Sequence, residues 1–136
     1  MKDTRSIVLV GILLTMIALS ACFKGPALRL ENSAGSVVVH IETLGEYMTT
    51  VRRVRIDEAS TGRVIFDLMT ESGTPQIFNF RLSAGENSTH IADPEHGSYR
   101  VAEPIGKNTF SLQKGIRYRL MIWGDGRSPS EADIEF

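Results

Sequence analysis

The chain has 136 residues, 42% of them apolar and 23% charged, with a formal net charge of −1. These values exclude a disordered chain and leave room for one globular domain rather than two. The charge balance argues against a nucleic-acid binder and against an acidic tail, and no block of like charges, internal repeat or low-complexity stretch interrupts the sequence.

In chain order, the first element is an export signal. Met1 to Arg5 form a short, slightly basic head, and Ile7 to Leu19 follow without a charge. That run is shorter than the about 20 residues a helix needs to cross a bilayer. It suits the apolar centre of a signal peptide, which predicts a signal helix over residues 1–21. Leu19-Ser20-Ala21-Cys22 comes next and holds the only cysteine in the chain. The segment resembles the lipobox of bacterial lipoproteins. The resemblance implies cleavage between Ala21 and Cys22, a diacylglycerol on the Cys22 thiol and a further acyl chain on its new amino group. Two or more acyl chains hold a protein stably at a membrane, whereas one holds it only marginally. A lone cysteine that is capped by lipid also fits an oxidising compartment. Phe23 and Lys24 follow it. In lipoproteins an Asp at the first of these positions retains the protein at the inner membrane, so the resemblance implies the outer membrane, facing the periplasm. Residues 22–35 are then the lipidated cysteine with a tether or first strand, and 36–136 are the folded domain.

From Ser36 onward the recurring signal is period-two alternation in β-branched and aromatic residues, with no amphipathic helical stretch. Ser36–Thr43 is one such run. In Val51–Ala59, Val54 and Ile56 share one face, while Arg53, Arg55 and Asp57 share the other. Ser60-Thr61-Gly62 is a turn signal, and Val64, Phe66 and Leu68 follow in phase, which predicts a hairpin. Phe78, Phe80 and Leu82 are in phase in the next run, or Ile77 if the register slips. Ser83 to Gly97 loses the alternation and reads as the longest loop. Tyr99 and Val101, then Phe110 and Leu112, resume it. Ile116, Tyr118, Leu120 and Ile122 alternate with Arg117, Arg119, Met121 and Trp123, and Ala132, Ile134 and Phe136 close the chain. Seven or eight short strands with turns about every 8–12 residues predict an all-β, antiparallel two-sheet sandwich, since each half-apolar strand must bury one face.

Leu112-Gln113-Lys114-Gly115-Ile116-Arg117-Tyr118 resembles the corner before the sixth strand of fibronectin type III and related immunoglobulin-like domains. The resemblance implies that Leu112 and the Tyr118 ring pack in the core, that Gly115 makes the turn, and that the Tyr118 hydroxyl bonds back to backbone. Gly124 to Ser130 resembles the loop that follows in that family. The tryptophan usual in the second core strand of the family is absent, with Ile56 near its place.

Chemistry is sparse. The mature chain has no nucleophile elbow, no phosphate-binding glycine loop and no cysteine beyond Cys22, so no enzyme activity is expected. His90 and His96 share a loop with Asp93 and Glu95, a set that suits zinc by residue type but not by spacing, and no metal or cofactor is expected other than the lipid on Cys22. Glu58, Asp67, Glu71 and Glu103 could pair for acid–base work in many ways, with nothing to select one. The arginines carry more. Arg53, Arg55, Arg117 and Arg119, with Trp123 in phase, form a possible binding face, since Arg and Trp are enriched in interaction hot spots. The same residues also read as stems covering an outward sheet face, offset by Glu42, Asp57 and Asp67. The expected function is a membrane-anchored, non-enzymatic binding or structural module of the bacterial envelope, contacting an envelope protein or glycan and no nucleic acid. The alternatives are an accessory subunit of an envelope secretion or transport complex, or a periplasmic enzyme inhibitor.

Overall fold

A computed structural model describes residues 26–42, 51–73, 77, 79–92, 97–125 and 128–136. The signal segment, the lipobox and Cys22 lie outside them, as do Phe78, Asp93, Glu95 and His96. The described residues are all-β and hold ten strands: β1 Ala27–Ser33, β2 Ser36–Glu42, β3 Arg53–Glu58, β4 Val64–Gly73, β5 Phe80–Ser83, β6 Gly85–Ser88, β7 Gly97–Glu103, β8 Thr109–Leu112, β9 Arg117–Trp123 and β10 Ser130–Glu135. The alternation predicts seven or eight. The additional strands are β1, which pairs with β2 from Ala27↔Glu42 to Ser33↔Ser36, and β6, which lies inside the stretch expected to be a loop.

All pairings are antiparallel and build a two-layered sandwich. One layer is a continuous five-stranded sheet in the order β10-β9-β3-β4-β7. The other is divided into β1-β2-β5 and β6-β8. Its division falls at Ala84, between β5, which pairs with β2, and β6, which pairs with β8. The Asn87 side chain spans the break: its Oδ1 accepts the Ser83 N–H at 2.8 Å, and its Nδ2 donates to the Ser83 carbonyl at 2.9 Å and the Gly85 carbonyl at 3.1 Å. Asn87 is buried, and these bonds satisfy backbone groups that the interrupted ladder leaves over.

The alternating residues place the core as their period requires. Val54 and Ile56 of β3, Phe66 and Leu68 of β4, and Tyr118, Leu120 and Ile122 of β9 line the inner face of the five-stranded sheet. They meet Val37 and Val39 of β2, Phe80 and Leu82 of β5, and Phe110 and Leu112 of β8 in one cluster. Phe66 and Phe110 stack across the layers with ring centroids 4.5 Å apart and planes within 13°. An aromatic pair of this kind adds about 0.5–1.5 kcal/mol beyond the area it buries.

The turn between β8 and β9 is set by three residues. Leu112 and Tyr118 are buried, and Gly115 adopts φ 79°, in the left-handed region that a residue with a Cβ rarely enters. The backbone N–H of Gln113 donates to the Tyr118 hydroxyl at 2.8 Å, so the phenol closes the turn from within the core. The Gly115 N–H donates to the carbonyl of Phe136 at 3.1 Å, which fastens the end of the chain to the same turn.

Candidate binding face

Because β3 and β9 are neighbours, the register brings Arg53 opposite Trp123, Arg55 opposite Met121 and Asp57 opposite Arg119. Side chains directly opposite in a sheet share a face. Arg53, Arg55, Arg117, Arg119 and Trp123 therefore all project from the outward side of the five-stranded sheet. The flanking strands supply carboxylates to the same face: Asp133 opposite Arg119 and Glu135 opposite Arg117 from β10, and Asp67 opposite Arg55 from β4.

The carboxylates hold these arginines unequally. Arg53 makes a two-pronged contact with Asp67, Nε to Oδ1 at 2.8 Å and Nη2 to Oδ2 at 2.6 Å. The Asp67 side chain is only 8% exposed and that of Arg53 30%. Asp67's hydrogen bond, offset in part by burial and reinforced by the charges of Asp67 and Asp57, holds the Arg53 guanidinium above its ordinary high value. The guanidinium also lies over the Trp123 ring, 5.1 Å from its centroid. Arg55 donates to Asp57 at 2.7 Å along its own strand. At the other end of the face, Arg119 is 4.0 Å from Asp133 and Arg117 is 3.8 Å from Glu135, with at least half of each side chain exposed. Exposed pairs at such distances are worth little and break readily.

At the Arg53–Trp123 end, the sheet surface sinks into an open depression of about 500 Å³ lined by Arg52, Arg53, Met69, Thr70, Glu71, Ser72, Gly73, Trp123 and Gly124. Arg52 is a residue that the sequence reading misses. Its position has the inward phase of Val54 and Ile56, but it precedes β3 and is exposed. Its side chain turns out instead, with Nε on Asp125 at 2.9 Å and Nη1 on the Gly73 carbonyl at 3.3 Å. The Arg52-Arg53 doublet was the available signal. Arg53 and Trp123 are the two predicted face residues that reach the depression; Arg55, Arg117 and Arg119 lie outside its lining.

A second groove, of about 550 Å³, opens beside β7 between Leu68, Tyr99 and Val101 on one side and Thr89, His90, Ala92 and Asn108 on the other. His90 is exposed there, and among the described residues no three His, Cys, Asp or Glu side chains gather as a metal site. The candidate acids stand apart in different settings: Asp67 binds Arg53, Glu58 binds Arg63 at 3.1 Å, and Glu71 borders the depression. Asp67 and Glu103 are register partners on β4 and β7, but both Asp67 oxygens point to Arg53.

The chain matches no protein-family model, no curated protein and no solved structure.

Proposed function

We propose that this chain is a lipoprotein of the bacterial envelope, anchored through acyl chains on Cys22, whose β-sandwich serves as a non-enzymatic binding or structural module. The observation that carries the reading is Leu19-Ser20-Ala21-Cys22, placed directly after a charge-free run and holding the chain's only cysteine. Phe23 and Lys24 after that cysteine, in place of an Asp, support an outer-membrane rather than an inner-membrane position. The immunoglobulin-like resemblance draws support from the adjacency of β10, β9 and β3 in one sheet and from the buried Tyr118 at the turn before β9. The pairing of β2 with β5 and of β6 with β8, rather than β2 with β8, departs from that family's simplest arrangement.

The proposed contact surface is the outward face of the five-stranded sheet. Arg117 and Arg119 are cations available on it, because their carboxylate partners hold them at long distance and in water. A protein or glycan presenting carboxylates would displace Asp133 and Glu135 at small cost. Replacing Cys22 with Ala tests the anchor. The variant should leave the membrane fraction or accumulate as an uncleaved precursor, and a processed variant that still sediments with membranes would refute the reading.

A further inference from the structure

We infer that the end of the sandwich carrying Arg52, Trp123 and Asp125 rests on the phospholipid headgroups of the membrane that holds the anchor. This rests on the lipidation of Cys22 proposed above. Four peptide links separate Cys22 from Pro26, and fully extended they reach at most about 14 Å. Pro26 belongs to the folded body. It is buried, and its carbonyl accepts a hydrogen bond from the Ser130 hydroxyl, so the chain is fixed to the body where β10 begins. Ser130 pairs with Ile122, whose neighbour is Trp123. The short tether thus leaves the body at the same end as the Arg52–Trp123 depression. The headgroup layer is about 5–7 Å deep on each side of a bilayer. An anchor reaching about 14 Å cannot hold this end far from it, whereas the turn at Lys114 and Gly115 lies a full β9 length away, about 20 Å.

The side chains at this end suit that neighbour. Trp123 is half-buried on the sheet's outer face and offers an amphipathic ring of the kind that settles at headgroup depth. Arg52 and Asp125 form a solvated pair, 42% and 69% exposed, 2.9 Å apart. One guanidinium and one carboxylate complement the phosphate and ammonium of a zwitterionic headgroup such as phosphatidylethanolamine, and a mixed pair has no reason to prefer a strongly anionic surface. The opposite end, with the β8–β9 turn and Phe136, then faces the aqueous compartment.

Trp123 is the only tryptophan in the chain, so its emission reports this contact without a label. The full lipidated protein is reconstituted into vesicles of phosphatidylethanolamine and phosphatidylcholine, with part of the phosphatidylcholine brominated near the headgroup end of its acyl chains. Co-flotation with the vesicles is scored first. A protein that fails to float refutes the anchor and this orientation together. A protein that floats should lose about half its emission to the bromolipid and shift its maximum to shorter wavelength, as an interfacial tryptophan does. Floating protein with unquenched, unshifted emission would overturn the orientation and leave the anchor standing. In the double variant Trp123→Phe with Lys114→Trp, emission should be insensitive to bromolipid; quenching there would mean that the body stands the other way up.

Discussion

Arg53 and Arg119 stand on neighbouring strands of one sheet face, each beside an aspartate, and their roles diverge. Arg53 reaches Asp67 with two bonds under 3 Å, and Asp67 is nearly withdrawn from water. Arg119 approaches Asp133 at 4.0 Å with both side chains more than half exposed. The difference comes from position in the sheet. β3 is central, so Arg53 has strands on both sides, with Trp123 from β9 and Asp67 from β4 closing over it. Arg119 has the edge strand β10 on one side, whose residues alternate between exposed and half-buried until Ile134. The same ion pair is therefore part of the fold in the middle of the sheet and part of the solvated surface toward its edge.

Removing Asp67 is the largest test of this contrast. Asp67→Ala leaves the Arg53 guanidinium beneath a partly desolvated surface without its partner, and breaking a buried pair in this way costs about 3–5 kcal/mol. Arg53 keeps about a third of its side chain in water, so a loss of about 2–3 kcal/mol is expected in the free energy from urea unfolding. Asp67→Asn, which keeps the shape and one acceptor, should lose less. A cost below about 0.5 kcal/mol for Asp67→Ala would place Arg53 with the surface arginines and erase the distinction.

The next test moves from the face to the core beneath it, where the sequence is easier to read. Val54, Ile56, Leu120 and Ile122 are almost fully buried because a strand with one dry face must alternate, and that period survives whatever the strand pairs with. β6 was illegible for the opposite reason. Its residues, Gly-Glu-Asn-Ser, have no apolar alternation, and its buried position is Asn87, made tolerable by three hydrogen bonds to backbone that only the folded chain supplies. The contact of Arg53 with Trp123 was legible as a shared phase, but not as a contact, because it depends on β3 and β9 pairing across a long stretch of chain. Arg52 was hidden because its phase matches that of the inward residues, whereas its side chain reaches Asp125 and the Gly73 carbonyl in solvent. Tyr118 sits between these cases: its burial follows from alternation, while its bond to Gln113 follows from the turn at Gly115. Tyr118→Phe removes that acceptor and keeps the ring, so thermal unfolding should register a loss of about 1 kcal/mol. An unchanged melting temperature would mean that water replaces the phenol at the Gln113 N–H.

The smallest stability effect belongs to the pair on which the proposed contact depends most. Arg117→Ala and Arg119→Ala each remove a cation from a long, exposed ion pair, and each should change unfolding free energy by less than about 0.5 kcal/mol. The two residues are next-but-one neighbours on a strand and share a face, so any ligand that spans one reaches the other. If this face meets a protein or glycan, the double variant should keep its fold and its membrane association and lose the partner captured from crosslinked envelopes. Capture that survives the double variant but is lost with Trp123→Ala would move the contact to the depression beside Arg52 and Arg53. Capture that survives both would remove the outward sheet face from consideration. The physical reason for expecting the first result is that a partner gains most from cations whose present carboxylates hold them loosely, and Arg117 and Arg119, beside the edge strand β10, are held in that way.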